Sequence, residues 1–385
     1  MTSSLHPVSA SERIHILDIL RGFALFGILL VNINGFASPS FLPGYHSSAS
    51  LPWYDALADA AILYLADGKF FTIFSFLFGL GFSVQITRAE ASRRSLLSFY
   101  PRRLLALLGF GLLHASLFWV EDILRLYALL GFALLAFRNA SNRALLKWAA
   151  LWLTLGYALS LAHDLVEANL PDLATTGAEI YRTGSFWQVV AFQTRWGWYL
   201  FLQEAQVQAA SVLALFLLGL LAGRLHFFEN LPAHRQRLKT IFWLGLLLGL
   251  TLNLLDARLE APWQANLIFI LAALCLSAAY ISGLSLLSLT TSGARWLAPL
   301  GQAGRMALTN YVLQSVVCSL LFNGYGLGLY EKAGTASLLG MVAVLYALQV
   351  CLSSWWMSHF QFGPLEWVWR ALTYLQRPAF CRLSR

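Results

Sequence analysis

Apolar runs long enough to cross a bilayer recur along nearly the whole chain, and that pattern constrains the fold more than any single motif. A spanning helix needs about 20 apolar residues. Divided at charged and Pro/Gly-rich points, the 385 residues give runs near 14–35, 55–87, 103–120, 122–137, 144–162, 206–223, 239–255, 263–286, 303–322 and 337–357. The second is too long for one straight helix and is expected to break near Asp67-Gly68. Composition agrees, with 58% hydrophobic and 11% charged residues. The mean hydropathy of +0.65 lies far from that of soluble globular chains. The expected fold is all-α: a polytopic integral membrane helical bundle of about ten transmembrane helices, forming a single domain over 1–385.

Orientation follows from the basic residues, which stay on the cytoplasmic side. Arg13, the arginines at 88–103, Arg138 to Lys147, Arg224 to Lys239, Arg295, Arg305 and the C-terminal arginines fall on one side. Only Arg182, Arg195, Arg258 and Lys332 fall on the other. Both termini are therefore expected in the cytoplasm, with a cytoplasmic tail at 358–385 and a long outer interfacial segment at 163–205. The first apolar run reads as an uncleaved anchor. The net charge of +8 suits basic loops facing anionic lipid and calls for no nucleic acid. Four cysteines, without paired spacing, read as free thiols, and no metal site is expected. Gly219/Gly223 and Gly245/Gly249 have the spacing of close helix contacts.

Ionisable residues at lipid depth are rare and costly, so each carries a functional reading beside a structural one. Asp18 and Arg21 share a helix face in the first run, where they can pair or hold a ligand. Asn32 continues that face outward. Lys69 opens a Phe-rich stretch and needs either an anion or an outward-snorkelling path. His114 lies in the third run, and Glu121-Asp-Ile-Leu-Arg125 forms the outer turn after it. An imidazole suits proton transfer near neutrality but needs an orienting partner. Were the helix to continue, Asp122 would stand about 12 Å from His114 along the axis at ~1.5 Å per residue, too far to serve. The alternative is a neutral histidine tied to a neighbouring helix, with Asp122 and Arg125 paired at the surface. Arg102, Arg103 and the Gly301–Gln314 stretch, including Arg305 and Asn310, bring basic and amide groups to helix starts, where anions bind. Gly324-Tyr-Gly-Leu-Gly328 reads as a turn.

Five stretches taken together resemble the YeiB-like bacterial membrane proteins, a family catalogued as a domain of unknown function. They are LDILRGFALFGILLVN at 17–32, KFFTIFSFLFG at 69–79, GLLH at 111–114 with DIL at 122–124, GRMALTNY at 304–311, and FGPLEWVWR at 362–370. They cover nearly the whole chain in order. Glu121 departs from the family pattern, which has Gly before Asp-Ile-Leu. The family in turn looks like a distant branch of transmembrane acyltransferases that include heparan-alpha-glucosaminide N-acetyltransferase, which shares an Asp-x-x-Arg-Gly opening.

That resemblance implies transfer of an acyl group from cytosolic acyl-CoA to an unidentified acceptor at the outer face of the bacterial inner membrane. Asp18, Arg21, Asn32, Arg305 and Asn310 would then line the donor side. His114, grouped with Asp122 as the catalytic cluster but with its ring oriented by another group, would take the acceptor proton or carry the acyl group, with Lys69 or Arg125 offsetting developing charge. His46 stands where the distant relative carries its catalytic histidine, but only His114 belongs to the YeiB-like pattern. Membrane lipids and a second copy of the chain complete the expected partners. A transporter or lipid flippase using the same charges is the competing reading, and a non-catalytic scaffold is the third.

Overall fold

The computed structural model describes residues 14–43, 45, 51–167, 173–256, 258, 259 and 261–381. His46 lies outside these. Among the described residues the chain is helical, with one isolated β-bridge between Phe360 and Cys381. In order the helices are α1 (His15–Ala37), α2 (Trp53–Leu65), α3 (Lys69–Ala91), α4 (Tyr100–Leu117), α5 (Ile123–Ala136), α6 (Asn142–Glu167) and α7 (Ala174–Thr183). There follow α8 (Phe186–Arg224), α9 (Arg235–Asp256), α10 (Pro262–Ser288), α11 (Thr291–Arg305), α12 (Ala307–Phe322), α13 (Thr335–His359) and α14 (Pro364–Tyr374). The fold is an all-α polytopic bundle of the membrane kind.

Among the described residues seven stretches are long and apolar enough to span a membrane: α1, α2 with α3, α6, the second half of α8, α9, α10 and α13. Helices α11 and α12 meet at a 79° bend and make an eighth if counted together. The runs read as spans at 103–120 and 122–137 become α4 and α5, of 18 and 14 residues. At ~1.5 Å per residue α5 reaches only about 21 Å, short of a hydrocarbon core. Both pack against α8.

The break expected near Asp67-Gly68 is present. Gly68 adopts a left-handed conformation, φ +73°, that favours glycine. Breaking a helix at lipid depth strands its last carbonyls, which must find donors. Here each has one: Lys69 Nζ donates to Leu63 O (3.0 Å), Asn253 Nδ2 to Tyr64 O (2.6 Å) and the Tyr280 hydroxyl to Leu65 O (2.9 Å). The Lys69 ammonium also lies 4.9 Å from the centre of the Phe269 ring. Lys69 is fully buried and does not snorkel.

The second break falls at Met306, and its solution mirrors the first. Helix α12 starts inside the protein with exposed N–H groups, and Glu366 of α14 accepts from Leu308 N (2.7 Å), Thr309 N (3.0 Å) and the Thr309 hydroxyl (2.6 Å). The tail expected at 358–385 is thus structured through α14. Arg102 Nε donates to Thr373 O (3.0 Å) and Trp369 Nε1 to Arg103 O (2.8 Å), tying α14 to the start of α4.

Close crossings hold the rest together, since apolar burial alone does not drive helix association in lipid. A Cβ on Gly304 would lie 1.8 Å from Asp18 O, so α1 and α11 touch backbone to backbone. The expected contact glycines behave alike: a Cβ on Gly219 would meet Phe76 O at 2.0 Å, and one on Gly245 would meet Cys275 O at 2.6 Å. All four cysteines are free. The segment 163–205 is less separate than its composition indicates, because residues from Phe186 onward belong to α8. That helix runs 39 residues. A Ser185/Gln188 capping box starts it, and no proline interrupts it. Trp187 and Trp198 on it are exposed, as interfacial tryptophans are.

Candidate functional site

Helix α4 stops one turn after His114. The N–H groups of Phe118 and Trp119 both donate to His114 O (2.9 and 3.0 Å), and the chain reverses through 118–121. Asp122 then caps α5, its Oδ1 accepting from Arg125 N at 2.9 Å. The reversal overturns the distance expected for a continuing helix, because Asp122 Oδ2 lies 2.7 Å from His114 Nδ1. Both side chains are buried, at 1% and 0% exposure. Gly111 makes room for the approach, since a Cβ there would come within 2.7 Å of both Asp122 Oδ1 and Arg125 N.

The carboxylate fixes one ring nitrogen, which leaves the other as the chemically available one. His114 Nε2 is buried with no hydrogen-bond partner among the described residues. Such a group costs on the order of 1–3 kcal/mol, so its retention asks for a use. The imidazole packs against Tyr311 of α12, ring centres 4.9 Å apart. Arg125 supplies the countercharge: Nη2 donates to Val120 O (2.7 Å), Nε lies 3.8 Å from Asp122 Oδ1, and the guanidinium sits 4.5 Å from the Phe201 ring. An imidazole held by a buried carboxylate, with its second nitrogen uncommitted, is the arrangement of a general base.

Two cavities lie toward opposite ends of α1 and meet at Tyr311, against which His114 packs; neither His114 nor Asp122 is among the described residues that line them. The first, of about 300 Å³, is basic: Arg21, Arg88, Arg103, Arg305 and Arg370 line it, against Asp18 and Glu366. Arg21 pairs with Asp18 at 2.9 Å while remaining partly exposed to the cavity. Arg103 stacks on Trp369 at 3.7 Å, which sets its plane. Arg305 donates from Nη1 to Gln302 Oε1 at 3.0 Å. Burial raises the Glu366 carboxyl above the usual glutamate range, against the pull of its hydrogen-bond donors. The second cavity, of about 430 Å³, holds Asn32 and Asp67 on its wall. Ile28, Ile123, Tyr127 and Tyr311 line both cavities and form the partition between them.

The residues singled out from the sequence therefore separate into groups. His114, Asp122 and Arg125 come together. Asp18, Arg21 and Arg305 share the basic cavity, whereas Asn32, three turns along α1, reaches the second one. Lys69 lines neither cavity and closes the α2–α3 break instead. Asn310 also lines neither; its side-chain amide donates to Ala303 O and Ser353 Oγ, both at 2.9 Å, and its backbone carbonyl accepts from Gln349 Nε2 at 2.8 Å. Reading the sequence missed Arg88, Arg370, Tyr127 and Glu366 as cavity residues, because they converge only through packing of distant helices. Tyr311 closes the GRMALTNY stretch, a signal that marked the region without its role.

Apolar helices enclosing a buried His–Asp pair and two internal cavities define a polytopic helical membrane protein with an internal polar site. Residues 222–376 match the family described as "Protein of unknown function (DUF418)". The chain is 34% identical to "Uncharacterized protein YxaH" of Bacillus subtilis (strain 168), over 97% of each chain. It is 31% identical to an "Uncharacterized 39.9 kDa protein in amylase 3'region" of Bacillus acidopullulyticus, over 96% of each. With "Uncharacterized protein YeiB" of Escherichia coli (strain K12) the identity is 29%, over 97% of this chain and 100% of that one. The chain belongs to the YeiB-like DUF418 family.

Proposed function

We propose that the protein is a membrane-embedded acyltransferase that moves an acyl group from acyl-CoA, held in the basic cavity, to an acceptor held in the second cavity. One observation carries this reading: the two cavities share the Ile28/Ile123/Tyr127/Tyr311 partition, and His114, held by Asp122, packs on Tyr311. The arginines suit the phosphates of CoA, which guanidinium groups bind through paired hydrogen bonds. The thioester would reach the partition through the apolar stretch of the same cavity, between Phe74 and Ile123.

In this scheme Asp122 holds the His114 Nδ1–H, so that Nε2 takes the proton from the acceptor's nucleophile as it attacks the thioester carbonyl. Collapse of the tetrahedral intermediate breaks the C–S bond, and the proton passes from Nε2 to the departing thiolate. Arg125 keeps the Asp122 charge balanced. The basic cavity faces the cytoplasm by the positive-inside rule, placing both termini inside and the acceptor outside in a bacterial inner membrane. Purified protein in proteoliposomes, given acyl-CoA and a membrane extract as acceptor source, should release free CoA thiol. His114→Ala should abolish this and His46→Ala should not; equal release by wild type and His114→Ala would remove the proposed chemistry.

Transport is a second reading, favoured by the two broken helices at Gly68 and Met306, since discontinuous helices line the substrate sites of many transporters. Asp18-dependent counterflow of a labelled solute without CoA consumption would select it.

A further inference from the structure

Helix α4 ends inside the protein, so the carbonyls beyond its last turn need donors, as those before Gly68 do. The carbonyl of Phe118, where the chain turns back, accepts from the Ser319 hydroxyl of α12 at 3.1 Å and, over a longer 3.5 Å, from Gln193 Nε2 of α8. Both donor residues are buried. A serine or threonine within a helix commonly gives its hydroxyl proton to the carbonyl four residues back. Thr72, Ser285 and Ser354 do so here, at 2.7, 2.7 and 2.8 Å. Ser319 instead reaches a carbonyl 201 residues away.

The oxygen that Ser319 holds stands between the two members of the buried pair. Phe118 N and Trp119 N fold back onto His114 O, and three residues after Trp119 the chain reaches Asp122, the cap of α5. Neither Ser319 nor Gln193 is among the described residues lining the two cavities, so neither is placed to touch a ligand. Helix α12 also carries Tyr311, whose ring lies against the imidazole. Ser319 follows it by eight residues, about 12 Å along the axis at ~1.5 Å per residue. One helix therefore braces both the imidazole and the reversal. We propose that Ser319 is a positioning residue: through Phe118 O it sets the course of the reversal, and with it the 2.7 Å contact between Asp122 Oδ2 and His114 Nδ1. Its effect on turnover rests on the acyl-transfer reading, whereas its effect on the imidazole does not.

Ser319→Ala removes the donor and Ser319→Thr returns it. In proteoliposomes Ser319→Ala should lower kcat for CoA release by between about tenfold and 10²-fold, since misplacement by about 1 Å through a remote substitution has that scale, with KM for acyl-CoA unchanged. Ser319→Thr should recover most of the rate; if its added methyl prevents folding, the double variant that follows decides. On an Asp122→Asn background Ser319→Ala should not lower kcat further, because the contact it sets is already lost, whereas a general structural role would add its loss to either background. Carbethoxylation of His114 by diethyl pyrocarbonate, located by mass spectrometry, reads the imidazole without turnover, and Ser319→Ala should speed it several-fold over wild type. Unchanged carbethoxylation, unchanged kcat where turnover depends on His114, or a fully additive loss with Asp122→Asn would each overturn the assignment. Faster carbethoxylation in a protein that transfers no acyl group would uphold the positioning role and overturn the acyl-transfer reading instead.

Discussion

Asp122 follows His114 by eight residues, yet its Oδ2 lies 2.7 Å from the imidazole Nδ1, because α4 ends at Leu117 and Asp122 caps the next helix. One carboxylate thus serves two purposes, holding a ring and starting a helix. The two can be separated by substitution.

Asp122→Asn keeps a side-chain oxygen for the α5 cap but offers the imidazole no charge, and its amide can impose the wrong tautomer. Acyl-CoA turnover should fall by about 10²-fold or more through kcat, the range of a lost general base, with KM for the donor unchanged. The thermal midpoint in detergent should stay close to wild type. Asp122→Ala should lower both, losing about 1 kcal/mol of cap in addition.

Gly111→Ala places a methyl against Asp122 Oδ1 and Arg125 N, each 2.7 Å from the built Cβ position. Helices α4 and α5 must separate, at a cost of about 1–3 kcal/mol as for other overpacked sites. Thermal unfolding would register this, and turnover should drop because the His114–Asp122 contact lengthens.

Arg21→Gln and Arg305→Gln remove cavity charge without touching the dyad. Steady-state kinetics should show KM for acyl-CoA rising several-fold with kcat retained, and added salt should weaken the wild type toward the variants. A fall in kcat alone would place these arginines in the chemical step.

Glu366→Ala leaves the Leu308 and Thr309 donors without their acceptor and should destabilise the protein by about 1–3 kcal/mol, with faster proteolysis at 360–381. Glu366→Gln can keep the acceptor. Because burial raises the Glu366 carboxyl in the folded protein, the fold retains this proton more readily than the unfolded chain does. Wild-type stability relative to Glu366→Gln should therefore be greatest below about pH 4.3, the ordinary glutamate value, and decline as pH rises through the folded value. Thermal melts across that range check the sign.

The bundle was legible because spanning helices announce themselves in composition, and the Asp67-Gly68 break showed as a charge and a glycine inside an overlong run. The Asp18–Arg21 pair was legible because residues three apart share a helix face. The His114–Asp122 contact was not, since it depends on α4 ending early under tertiary contacts that local pattern does not encode. Convergence of Arg88, Arg103 and Arg370 on one cavity depends on α14 folding back against α4. Lys69 and Asn310 looked like site residues for a related reason: a polar group at lipid depth carries the same sequence signal whether it meets a ligand or a stranded backbone carbonyl.

The most direct measurement is side-resolved acyl transfer. Proteoliposomes of defined orientation receive acyl-labelled CoA on the face of the basic cavity, with acceptor confined to the opposite face. Label is expected in the acceptor across the membrane, dependent on His114 and on Asp122. Label recovered only on the donor face, or transfer undiminished in His114→Ala, would contradict it.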